Sequence, residues 1–84
     1  MYEVAYSKRA DRTLHKIPHH LARRIRVKLS QIAFDPYGRH NNVTKLQDRP
    51  GFRLRAGDWR VIYEVHDEQL VVLVLEIGTR GDIY

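Results

Sequence analysis

Apolar side chains recur along this chain with two different periods, and each switch between them marks a change of element. Tyr2 to Tyr6, YEVAY, alternates and predicts a short opening strand, with Ser7 placed as the N-cap of a helix. Ala10, Leu14 and Ile17 then return at helical spacing, which predicts a short amphipathic helix over Lys8 to Ile17. Pro18 breaks it. Because proline is welcome in a first helical turn, a second helix is expected to begin there, with Leu21, Ile25, Leu29 and Ile32 as its apolar stripe. Its opposite surface carries Arg23, Arg24, Arg26 and Lys28. Asp35 to Asn42, DPYGRHNN, is so dense in turn formers that it reads as loop.

The second half has the period of strands. Val43 to Gln47, VTKLQ, predicts a short edge strand before Arg49-Pro50-Gly51 turns the chain. Phe52 to Val65, FRLRAGDWRVIYEV, is a hairpin around Gly57-Asp58, where glycine supplies the positive φ of a tight two-residue turn. That loop length sets Ala56 opposite Trp59, Arg55 opposite Arg60, Leu54 opposite Val61, Arg53 opposite Ile62 and Phe52 opposite Tyr63. His66 to Gln69 links the hairpin to Leu70–Ile77, LVVLVLEI, whose valine-rich apolar run predicts a central strand covered on both faces. The resulting order is β-α-α-β-β-β and the fold class is α+β, a two-helix hairpin packed on one face of a mainly antiparallel sheet.

Alternation then sorts the hairpin. Phe52, Leu54, Val61, Tyr63 and Val65 share the face beneath the helices, together with Trp59, while Arg53, Arg55 and Arg60 share the open face. Like charges directly opposite one another in a sheet are destabilising, so stability alone would not select Arg55 against Arg60. Any one of these arginines could simply reach solvent. Three on one face point to an anion site. The tail GTRGDIY follows the last strand at once, so Arg80 and Tyr84 are expected to fold back toward that face.

Length and composition limit what such a site can be. At 84 residues the chain is one domain, spanning 1–84, too small to house a deep cofactor cleft beside a second substrate domain. Without cysteine it has no disulfide, thiolate metal site or cysteine nucleophile. Fifteen Lys+Arg against ten Asp+Glu leave a charge of +5, which suits a polyanion or an acidic protein partner. The start of the chain shows no secretory signal and no apolar run reaches the roughly 18 residues of a membrane span, so a soluble cytoplasmic protein is expected. His15 and His19 lie four apart but are interrupted by Pro18 and lack a carboxylate at metalloprotease spacing, so no metal and no small-molecule cofactor are expected.

RNA is cut without metal when its 2′-hydroxyl attacks the adjacent phosphate, given charge stabilisation on the phosphoryl oxygens and a proton moved at each end. The planar guanidinium fork suits the first task, and because it stays charged it is a poor base. Tyr84 beside arginines is the better candidate for proton transfer. On spacing alone the arginines equally suit simple binding of phosphate or of an acidic partner.

KLQDRPGFRLRAGDWRVIYEV, the valine-rich strand and the closing IGTRGDIY together resemble the RelE/ParE superfamily of type II toxins, most closely its RelE branch, over nearly the whole chain. The resemblance implies a ribosome-dependent mRNA interferase that cuts the A-site codon and leaves a 2′,3′-cyclic phosphate. It places Arg53, Arg55, Arg60, Arg80 and Tyr84 in the catalytic set, with Arg60 and Arg80 stabilising phosphate and Tyr84 transferring a proton or stacking on a base. Where the family often has lysines, this chain has Arg53 and Arg55, which shifts proton transfer toward Tyr84. Arg23, Arg24, Arg26, Lys28 and Lys45 would dock RNA through phosphates. The implied partners are the 70S ribosome with its mRNA and an acidic antitoxin encoded alongside. Two alternatives stay open, a ParE-like inhibitor of DNA gyrase and a non-catalytic binder of RNA or acidic peptide.

Overall fold

The computed structural model describes residues 1–79. Its elements run β1 (Glu3–Tyr6), α1 (Lys8–Lys16), α2 (His19–Phe34), β2 (Val43–Lys45), β3 (Phe52–Ala56), β4 (Trp59–His66) and β5 (Val71–Thr79). The strands form one sheet in the order β1-β5-β4-β3-β2, parallel only between β1 and β5. The expected α+β architecture is therefore present, with four strands rather than three after the helices because the short edge strand β2 forms.

Local chemistry explains the helix boundaries. Ser7 Oγ accepts from the amide of Ala10 at 3.0 Å and donates to the carbonyl of Leu75 at 2.8 Å, so one hydroxyl caps α1 and ties it to β5. Helix α1 ends one residue before the expected Ile17, which takes an extended ψ of 161° because it precedes Pro18. Pro18 is itself the N-cap of α2 and contributes no capping side chain. Leu14, Ile25, Leu29 and Ile32 then pack on Leu54, Val61, Tyr63, Val72 and Val74, which forms the core between helices and sheet.

The hairpin has the register read from its turn: Phe52 pairs with Tyr63, Arg53 with Ile62, Leu54 with Val61, Arg55 with Arg60 and Ala56 with Trp59. Gly57 has φ +62° while Asp58 does not enter the positive region, the pattern of a type II′ turn. Gly51, at φ +112°, is where the backbone enters β3, and a Cβ there would stand 2.7 Å from the carbonyl oxygen of Tyr63. The β2 edge strand is shorter than VTKLQ, stopping at Lys45.

The last strand departs from the expectation of cover on both faces. β5 lies inside the sheet, but the helices cover only one of its faces. Its register with β4 slips between Ile62, paired with Glu76, and Tyr63, paired with Val74, so Leu75 is an extra residue. This bulge returns Ile77 to the helix side, which is why Val72, Val74 and Ile77 are buried although they do not alternate. Val71 and Leu73 lie half-buried on the opposite face. An alternating strand with a bulge thus produces an apolar run that reads like burial on both sides.

Candidate functional site

The sheet face turned away from the helices is built in rows, because paired residues project to the same side. Arg55, Arg60 and Gly78 form one row, and Thr44, Arg53, Ile62 and Glu76 form the next. Arg53, Arg55 and Arg60 are therefore brought together on adjacent strands, as the sequence indicated. Ile62 between them is only 1% exposed despite lying outside the helix-covered core. Arg60 curls over its own turn, with Nη1 donating at 3.3 Å to the carbonyls of Gly57 and Trp59. Those contacts fix where the guanidinium sits.

Two glutamates of this face, Glu76 and Glu64, have partners of their own. Arg9 and Arg49 each approach Glu76 at 3.6 Å, and His66 Nε2 lies 3.0 Å from Glu64. Among the described residues neither Arg55 nor Arg60 takes part in an ion pair. Among the described residues no group of histidines and acids could hold a metal ion.

No described tyrosine can serve as a base near neutral pH. Hydrogen bonds to Asp67 raise the pKa of Tyr2 and push that of Tyr37 up to about 12, while burial raises Tyr6 and pushes Tyr63 up to about 12. His66 stands at the far end of β4 from Arg60, about 20 Å away at strand rise. The remaining tyrosine, Tyr84, and Arg80 lie outside the described residues.

The expected RNA-docking residues divide. Arg23, Arg24 and Arg26 are exposed on the outer surface of α2, across the sheet from the arginine face. Arg23 and Arg26 border a shallow surface groove with His19, His20, Val27 and Phe34. Lys45 pairs with Phe52, so its alternation also places it on the helix side. Lys28 belongs to a separate polar cavity with Arg39 and His40. In the sequence Arg39 and His40 are simply loop residues, since nothing local says that α2 will meet them.

A two-helix layer on one side of a mixed sheet, and paired arginines on the other, define a small basic domain. The comparisons with known proteins specify the class. Residues 4–84 match the family described as ParE toxin of type II toxin-antitoxin system, parDE, and the chain belongs to that family. Toxin RelG of Mycobacterium tuberculosis is 30% identical over 99% of this chain and 95% of its own length. The mRNA interferase toxin RelE of Escherichia coli is 27% identical over 94% of this chain and 83% of its own. In the archaeal RelE–RelB complex from Pyrococcus horikoshii, the matching chain superposes with a TM-score of 0.79 at 30% identity, covering 95% of this chain and 96% of that one. This chain is a RelE-like type II toxin.

Proposed function

We propose that this toxin is a metal-independent endoribonuclease that cleaves messenger RNA on the ribosome. The observation that carries the reading is the pairing of Arg55 with Arg60 on an open sheet face, where neither takes part in an ion pair among the described residues. Two arginines paired across adjacent strands suit a phosphodiester that gains charge during reaction. The 2′-oxygen of the substrate attacks phosphorus, the bond to the 5′-oxygen breaks, and the products are a 2′,3′-cyclic phosphate and a 5′-hydroxyl. One proton leaves the 2′-hydroxyl and one is delivered to the departing 5′-oxygen.

Arg53, Arg55 and Arg60 bind and stabilise the phosphoryl group in this scheme. Arg80 and Tyr84 join the set on sequence resemblance, with Tyr84 moving a proton. The four other tyrosines have pKa values raised by burial or by hydrogen bonds to Asp67, so none of them is a better proton acceptor than an ordinary tyrosine. The docking residues Arg23, Arg24, Arg26, Lys28 and Lys45 contact ribosomal RNA through phosphates, which confers salt-dependent affinity without base reading. The relatives named as mRNA interferase support the chemistry, and the RelE–RelB complex supports an antitoxin as partner; in this reading that antitoxin is acidic and holds the chain inactive in the cytoplasm.

The test is to add protein to a translation reaction carrying one mRNA, with and without ribosomes, and to map breaks by primer extension. Breaks that are phased with codons, need ribosomes and end in cyclic phosphate are expected. An intact message would exclude the reading and turn attention to gyrase supercoiling.

A further inference from the structure

On the helix side of the sheet, a cavity of about 270 Å³ opens between α2 and the loop that follows it. That is several times the roughly 30 Å³ a water occupies in the liquid. Lys28, Gln31, Arg39, His40 and Asn41 line it over a floor of Ile32 and Leu54. The geometry points to a second phosphate-binding site here, separate from the arginine face, whose occupant under the function proposed above is the backbone of RNA.

Charge is the first argument. The lining holds two permanent cations, an imidazole and two amides, and no carboxylate. Among the described residues neither Lys28 nor Arg39 takes part in an ion pair. The acid nearest in sequence, Asp35, is not part of the lining, although its carboxylate lies against Gly38, and its backbone carbonyl holds the loop. His40 Nε2 donates to the carbonyl of Asp35 at 2.6 Å, and the amide of Gly38 donates to the same oxygen at 3.0 Å. A carbonyl only accepts, so Nε2 carries the proton of this bond.

Rigidity is the second. The loop is pinned at both ends of the cavity wall. Tyr37 Oη donates to Asp67 at 2.7 Å, and the amide of Arg55 donates to the carbonyl of Asn42 at 2.9 Å, where Asn42 sits at a left-handed φ of 66°. A preformed wall spares the ordering entropy that a mobile basic loop would lose on binding. A solvated run of bases would need none of these ties.

Position is the third. Leu54 forms part of the floor, and its chain neighbours Arg53 and Arg55 project from the other side of the same strand. An RNA strand that engages both sites must pass around the β2–β3 edge, so the cavity would set the path of the backbone rather than react with it. Lys28, Arg39 and His40 are therefore positioning residues, and the phosphate assignment rests on the cavity even if the RNA reading fails.

The test uses a short 2′-O-methyl RNA, which binds but cannot cyclise, followed by fluorescence anisotropy over a salt series. A Lys28→Gln/Arg39→Gln double variant is expected to bind about tenfold more weakly at moderate salt and to lose about 1.5 from the log–log salt slope, as for two released phosphate contacts. In parallel, inorganic phosphate is titrated while the backbone amides of Arg39, His40 and Asn41 are followed by NMR; selective shifts are expected in wild type and not in the double variant. Unchanged affinity and slope, with those amides unmoved by phosphate, would overturn the site. An Arg55→Gln/Arg60→Gln variant that loses RNA binding in the same series would then leave the proposed function standing. Selective amide shifts with no RNA binding by wild type would uphold the phosphate site and count against RNA as its source.

Discussion

Arg55 and Arg60 face each other as a directly paired position of the β3–β4 hairpin, one residue from the turn on each strand. Opposed like charges cost stability in a sheet, and the hairpin carries that cost where an anion could relieve it. Replacing Arg55 by Thr, a good strand former, is expected to stabilise the fold by about 0.5 kcal/mol, or roughly 2–4 °C in Tm. The gain should shrink in high salt, which screens surface charges. Thermal melts at two ionic strengths check it; a loss of stability at both would show that the pair is not repulsive.

The largest fully buried side chain, Tyr63, stacks on Phe52 with ring centroids 5.4 Å apart, and its hydroxyl meets no hydrogen-bond partner among the described residues. A buried hydroxyl without a partner costs desolvation and returns nothing. Tyr63→Phe should therefore leave stability unchanged or raise it by up to about 1 kcal/mol, whereas Tyr63→Ala should cost about 3–5 kcal/mol through the cavity it leaves. Urea titrations of both variants make the comparison. A Phe variant markedly weaker than wild type would mean that the hydroxyl is satisfied in solution.

Asp67 joins three segments that are far apart in sequence: its two carboxylate oxygens accept from Tyr2 and Tyr37, each at 2.7 Å. These bonds hold the Asp67 pKa below its ordinary 3.8 and push Tyr37 up to about 12. A depressed carboxylate stabilises the fold above about pH 4 and ceases to as acid protonates it. The raised tyrosines act in the other direction, stabilising fully below about pH 10 and no longer once pH passes about 12. Asp67→Asn should flatten the acid limb of Tm against pH and part of the alkaline limb, with the Tyr63 part remaining. Parallel curves for wild type and variant would remove Asp67 from the account.

Gly51 holds the entry to β3 at φ +112°, with the Tyr63 carbonyl 2.7 Å from where a Cβ would sit. Gly51→Ala combines a backbone region nearly reserved for glycine with a backbone clash, and should cost about 2 kcal/mol or more. Gly57, at φ +62° with open space around it, should accept Asn at a cost of about 1 kcal/mol or less. Chemical denaturation of the two variants side by side distinguishes strain from general sensitivity to glycine replacement.

Much of this architecture is legible in the chain because a few residues fix it locally. Gly57-Asp58 sets the loop length, and loop length alone determines all five pairs of the hairpin, including Arg55 with Arg60. Ser7 and Pro18 bound the helices for reasons of capping and backbone sterics. Features that depend on distant partners are not legible. The Leu75 bulge is hidden inside a run that is apolar at almost every position, so no alternation exists to show the slip. Asp67 finds Tyr2 and Tyr37 across 65 and 30 residues of sequence, with no periodic signal to announce either bond. The cavity at Arg39 and His40 exists only because α2 brings Lys28 beside the loop.

The central claim is that the open arginine face carries the chemistry, and codon-phased cleavage by Arg55→Gln and Arg60→Gln variants tests it most directly. In the ribosome-programmed primer-extension reaction, each variant should still fold and each should cut at least about 10²-fold more slowly than wild type, the usual loss when one transition-state donor is removed. Cleavage at the wild-type rate by both variants would contradict the claim.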